Sequence, residues 1–206
     1  MTAGKEPIAG MCCAGIFMLA LVLGAAPLGA AAAPRFTAPE EQRLVQGQVV
    51  VNSQPGQGGR PDRVQAAIII PASAQRVWDT LLDCAGAPQF VPGLQECRIL
   101  QRQPSADLVQ HRVKFSWLIP EVTYVFLARY QKWRSIQFER ISGDLEEMQG
   151  SWLLLSRDQG RRTLLVYSVF LDPGFLVPQW LVSLIMEADL PDLMLAVRKR
   201  VLESSP

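Results

Sequence analysis

The sequence holds a single histidine, His111. That excludes a multi-histidine metal centre, and the carboxylates lack the spacing of a metal-binding loop, so no metal is expected. Charge of one sign is not in excess: 20 Lys and Arg stand against 19 Asp and Glu, a net +1. The basic footprint of a nucleic-acid partner is therefore missing. There is no Gly-rich phosphate loop and no internal repeat. No Ser, Cys or Asp sits in a recognisable nucleophile or triad context. No catalytic residue or cofactor is assigned. Charged residues make up only 19% and apolar ones 49%, which excludes a disordered chain. Cysteines are few: Cys12, Cys13, Cys84 and Cys97.

The 206 residues suffice for one domain with a sizeable core and are short for two. Residues 1–32 read as a signal peptide. Lys5 is a weak positive region, Ile8 to Ala26 is apolar, Pro27 and Gly29 break it, and small residues follow from Ala30 to Ala33. Cleavage after Ala31 or Ala32 satisfies the small-x-small rule. The alternative is an uncleaved membrane anchor, for which the apolar core is short of the ~20 residues of a full span. Export would leave only Cys84 and Cys97, either as one disulfide or as two buried thiols. It would make the protein periplasmic in a Gram-negative host.

Residues 33–42 read as a flexible lead-in to a single domain over 43–206. Strands are expected at 43–52 and 64–70, as a hairpin about the turn Gly56–Asp62. Ser73 is a plausible N-cap for a helix to about Asp83, with Val77, Trp78 and Leu81 on its apolar face. Gly86, Pro88, Pro92 and Gly93 allow only a short helical turn. Six strands follow at about 95–103, 107–117, 121–131, 135–142, 147–157 and 162–171. The last segment, 175–204, is helical, with Pro191 expected to break or kink it near Leu190. Leu193, Val197 and Val201 recur opposite Arg198 and Lys199, an amphipathic pattern. The class is α+β: a curved antiparallel sheet around a long C-terminal helix, with room for a cavity where their curvatures differ.

This order resembles the START-like, or helix-grip, superfamily of polyketide cyclases/dehydrases and lipid-transport proteins, over about residues 60–204. The wording that carries it is Ala67-Ile-Ile-Ile-Pro-Ala-Ser-Ala-Gln-Arg-Val-Trp-Asp-Thr-Leu-Leu-Asp83, then Phe90-Val-Pro-Gly93. Gly143-Asp144, Gly150-Ser-Trp152 and Tyr167 resemble the branch that includes coenzyme Q-binding proteins. Cys84 departs from the aromatic residue common after the Asp, and the signal peptide departs from that branch's compartments. The resemblance implies a pocket for a lipid, quinone, sterol or polyketide. Fold alone does not choose between binding and catalysis.

Period-two reading places Val109, His111, Val113, Phe115 and Trp117 on the inner face of their strand, opposite Gln110, Arg112, Lys114 and Ser116. Tyr124, Phe126, Phe138, Trp152 and Tyr167 extend that face, as do Trp180 and Leu184 of the terminal segment. These residues are the ligand-binding candidates; core filling is the alternative. Arg140 alternates with Ile136 and Phe138. Inward, it needs a partner such as Asp144, Glu147 or a ligand head group; at the rim it snorkels out. His111 reads as a core or cavity-wall histidine, or as an acid–base group with a bound substrate. Phe175–Met186 is apolar around nearly its whole circumference. It packs as a buried helix start, or faces the cavity, a membrane surface or a second subunit. Trp117-Leu-Ile-Pro120 stands to complete such a cavity mouth. Three functions are open: a carrier of a hydrophobic small molecule, a cyclase or dehydratase acting on one, or a non-catalytic interaction protein.

Overall fold

Strand-forming residues fill the middle of the chain, and their pairing sets the architecture. The computed structural model describes residues 34–54, 63–114, 120–174 and 179–204, with the backbone alone over 179–186. The elements are α1 (Ala38–Val45), β1 (Val50–Gln54), β2 (Arg63–Ile70), α2 (Ala74–Leu81), β3 (Leu94–Gln103), β4 (Ala106–Val113), β5 (Val122–Gln131), β6 (Ser135–Gly143), β7 (Glu147–Arg157), β8 (Arg162–Asp172) and α3 (Gln179–Glu203). The eight strands form one sheet in the order β1-β2-β8-β7-β6-β5-β4-β3. Every pairing is antiparallel. β3 to β8 are a meander. β2 closes on β8, pairing Val64 with Val169 and Ile70 with Thr163.

α3 lies against β2, β1, β8 and α2. Leu190, Met194, Val197 and Val201 are all buried, and they meet Val64, Ala66, Ile68 and Ile70 of β2 and Val77 and Trp78 of α2. Each such side chain contributes about 1.5–3 kcal/mol when fully buried. Pro191 does not break α3, contrary to expectation. Proline removes one backbone donor, while Leu190 just before it and Met194, Val197 and Val201 after it are buried in the core. Ser73 caps α2 as expected, its hydroxyl accepting from the Arg76 N–H at 3.4 Å.

The lead-in is where the structure departs most from expectation. Residues 38–45 are helix α1, so neither a flexible segment to 42 nor a strand from 43 holds. The Glu40 carboxylate accepts from the Thr37 N–H at 2.7 Å and its hydroxyl at 2.8 Å, closing the helix start. Gly47 (φ 77°) then turns the chain into β1. α1 places Leu44 on the outer face of the sheet with Val50, Ala67, Ile69, Leu164 and Val166. Ala66 to Ile70 is thus buried on both faces, which explains an apolar run where alternation was to be expected.

Candidate functional site

The concave face of the sheet does not meet α3 everywhere. Between them lies a cavity of about 250 Å³. Alternation along β4 turns Asp107, Val109, His111 and Val113 into it, and along β5 Tyr124, Phe126, Ala128 and Tyr130. β6 supplies Ile136 and Phe138, β7 Met148 and Trp152, and β8 Tyr167. Asp189, Leu190, Leu193 and Val197 of α3 close the opposite side.

The remaining wall is a short segment between α2 and β3. Ala87–Gln89 form a single 3-10 turn, and Phe90, Val91 and Pro92 face the cavity. Cys84 and Cys97 are joined in a disulfide with Cα atoms 5.4 Å apart. It ties the start of this segment to β3, and both cysteines line the cavity. Asp83 secures the same corner: its carboxylate accepts from the Gly86 N–H at 2.9 Å and lies 3.5 Å from Arg200 of α3.

Aromatic rings dominate the floor. His111 packs edge-on against Phe126, with centroids 4.8 Å apart. Phe138 stacks on Tyr167 at 5.9 Å, and Tyr167 lies 4.2 Å from Trp152. Gly150 permits this arrangement. A Cβ there would stand 2.4 Å from the Phe138 ring and 2.3 Å from the Ser168 carbonyl. Gly143 (φ 113°) has the same function at the end of β6, where a Cβ would meet the Thr123 carbonyl at 2.4 Å.

Polar groups are sparse, and two pairs of them meet. The Tyr124 hydroxyl and His111 Nδ1 are 3.5 Å apart, the long limit of a hydrogen bond. Burial lowers the His111 pKa to about 4, so the imidazole is neutral at physiological pH. Burial likewise raises Tyr124 and Tyr167 above the ordinary phenol range. Tyr130 donates to Asp107 Oδ2 at 3.1 Å, and burial followed by that carboxylate raises its pKa too. Burial, then the neighbouring Asp192, raises Asp189.

Of the residues singled out in the sequence, His111, Val113, Tyr124, Phe126, Phe138, Trp152 and Tyr167 line the cavity together. Phe115 and Trp117, and the side chains of Trp180 and Leu184, lie outside the described residues. Arg140 is not on the wall, and the carboxylates expected to pair with it do not. Its Nη2 donates to the Gly143 carbonyl at 2.9 Å, and its Nε is buried without a partner. Asp144 instead accepts from the Thr123 N–H at 2.7 Å, and Glu147 from Gln149 at 3.1 Å. The register keeps Arg140 in phase with Phe138 and opposite Phe126, with a bulge following at Ile141; it is the side chain itself that turns to the Gly143 carbonyl at the strand end. The sequence reading left Asp107 and Tyr130 out of the site, although both share the period-two pattern of their strands. It also left out Phe90, Val91 and Asp189, which no periodicity marks.

Residues 70–198 match the model of the family described as polyketide cyclase/dehydrase and lipid transport. No curated protein matches. Among solved structures, the STAR-related lipid transfer protein from Xanthomonas axonopodis superposes with a TM-score of 0.66 at 16% identity, covering 74% of this chain and 93% of that one. Human STARD10 gives 0.65 at 15%, covering 76% and 70%. The Zhui aromatase/cyclase from Streptomyces sp. R1128 gives 0.60 at 19%, covering 68% and 92%. At these identities the likeness shows the START-like helix-grip fold.

Proposed function

The chain belongs to the polyketide cyclase/dehydrase and lipid transport family, and from that premise we propose that it binds and carries a hydrophobic small molecule in its internal cavity. One observation carries the reading: the space of about 250 Å³ that aromatic and aliphatic side chains leave between sheet and α3. Ligand sites are of this kind, apolar with a few fixed polar groups. Affinity then follows buried area, at about 25 cal/mol per Å² of apolar surface. Polyketide, quinone and single-chain lipid skeletons all suit such walls. Of the solved structures, that from Xanthomonas axonopodis is named for lipid transfer and Zhui for aromatase/cyclase.

Native mass spectrometry of the purified chain tests this directly, with Leu193→Trp as control. A small molecule retained by the natural protein and lost from a folded Leu193→Trp variant is the expected result. An empty natural protein that also fails to take up an apolar dye would end the reading.

A second reading, a cyclase- or dehydratase-type enzyme, is favoured by one specific feature. The neutral His111 imidazole and the Tyr124 hydroxyl stand side by side on the cavity wall. Such a pair can take and return a proton on a bound substrate. His111→Ala should then abolish turnover while ligand is still bound; unchanged turnover rejects that role.

The reading includes export, supported by the apolar stretch Ile8–Ala26 and by a disulfide suited to an oxidising compartment. N-terminal sequencing of the protein from the cell envelope should begin at Ala32 or Ala33. A chain retaining Met1 would point to an anchor instead. Transient membrane contact belongs to the same proposal, through the apolar segments 117–120 and 175–186. Co-sedimentation with phosphatidylcholine vesicles tests it.

A further inference from the structure

We propose that the cavity selects an uncharged, oxygen-bearing amphiphile with one apolar chain or ring system, such as a ketone or alcohol, and rejects the carboxylate of the same skeleton. This rests on the carrier reading and adds to it the charge of the guest.

The ground is the inventory of charge on the wall. Among the described residues, the wall carries no Lys and no Arg; its ionisable side chains are Asp107, His111, Tyr124, Tyr130, Tyr167 and Asp189. In the sequence, 115–119 and 175–186 likewise hold no Lys, Arg or His. Arginines on neighbouring elements lie off the wall: Arg140 donates Nη2 to the Gly143 carbonyl and keeps a buried Nε without a partner, Arg198 bonds the Gly47 carbonyl, Arg200 meets Asp83, and Arg102 acts on Tyr130 from outside the lining. An anionic head group entering this space would lose its water and meet no cation on the described wall, with two carboxylates already present.

The neutral hydrogen-bonding groups, by contrast, converge. Tyr124 stands beside His111, and it is close enough to Tyr167 to oppose that phenol's ionisation. Both phenols keep their protons and can donate to a carbonyl or hydroxyl oxygen, and the neutral imidazole can either donate or accept. The volume of about 250 Å³ falls below the ~300–1,000 Å³ of usual small-molecule pockets. It suits a single chain or ring system over a two-chain lipid.

The test is displacement of Nile red, an uncharged dye, from the full chain purified without detergent. Decan-2-one, decanol, decanoic acid and decylamine serve as competitors at about pH 8, where the acid is ionised. The ketone and alcohol should displace the dye at similar concentrations, and the acid should be roughly tenfold weaker or more. The acid's deficit should shrink toward pH 5 as its carboxyl protonates. Asp189→Arg, on a helix surface at the cavity edge, should narrow the gap between acid and alcohol. Equal affinity for acid and alcohol at about pH 8, tighter binding of the amine, or an unchanged gap in Asp189→Arg would each overturn the charge selection and leave the carrier reading standing. Failure of all four competitors and of the dye would overturn both.

Discussion

His111 shows how burial alone can set a side chain's chemistry. No carboxylate or cation shifts it; loss of water lowers its pKa from an ordinary 6.5 to about 4. The unfolded chain therefore takes up a proton below pH 6.5 that the folded chain refuses. The sign follows: this contribution is neutral above about 6.5 and becomes destabilising as pH falls toward 4. The full effect is about 3 kcal/mol at most. Denaturation at a series of pH values should show stability falling through this window, and His111→Phe should flatten the fall. Because the chain has one histidine, a single imidazole resonance reports the titration by NMR. A midpoint near the ordinary value would refute the burial. Tyr124→Phe and Tyr167→Phe probe the neighbouring donors. Each should weaken a ketone by about three- to tenfold and leave a hydrocarbon guest unaffected, the worth of one hydrogen bond.

Among the elements, the segment from Cys84 to Gly93 has the least secondary structure of the cavity wall, and the disulfide stands in for it. The bridge spans a sequence separation of 13. Its chain-entropy contribution is about 3 kcal/mol. Cys84→Ser with Cys97→Ser should lose about that much in urea denaturation, and hydrogen exchange at 86–93 should quicken. Unaltered exchange there would show that Asp83 and Arg200 hold the wall by themselves. At the other face of the sheet, Leu44→Ala should cost about 2–5 kcal/mol, because α1 covers β2 and β8 chiefly through that fully buried side chain. Gly150→Ala should destabilise by about 1–3 kcal/mol from overpacking, since the Phe138 ring occupies the place of the new methyl. Gly143, Asp144 and Gly150 thus have structural reasons to be present. Their likeness to the coenzyme Q-binding branch accordingly says more about the sheet than about the guest.

For the molecule as a whole, the decisive property is the incomplete fit between the sheet and α3. α3 is fully seated against β2 and α2, where Met194, Val197 and Val201 reach zero or near-zero exposure. Toward β4, β5 and β6 the inward rings do not span the gap, and the cavity remains. The same stretch of helix therefore serves two purposes: Leu190 and Val197 close the core and also bound the site. Apolar guests should raise the Tm of the natural protein in proportion to concentration over Kd. They should leave Leu193→Trp unmoved, as differential scanning fluorimetry can read.

Much of this was legible in the order of residues. Period-two alternation turned His111, Tyr124, Phe126 and Phe138 to one face, and alternation is a local property of extended backbone. The six-strand meander, the capped helix at Ser73 and the amphipathic terminal helix follow equally from local patterns and turn chemistry, whereas the closure of β2 on β8 does not. What locality could not supply came from contacts distant in sequence. Arg140 keeps the inward phase of its strand, yet its guanidinium turns to the Gly143 carbonyl and off the cavity wall. α1 exists because β2, buried on one side by α3, had a second apolar face to cover. Pro191 stayed helical where Leu190, Met194, Val197 and Val201 bury their side chains in the core, contacts that its local sequence does not contain. The cavity itself is a difference between two curvatures, a quantity no single segment contains.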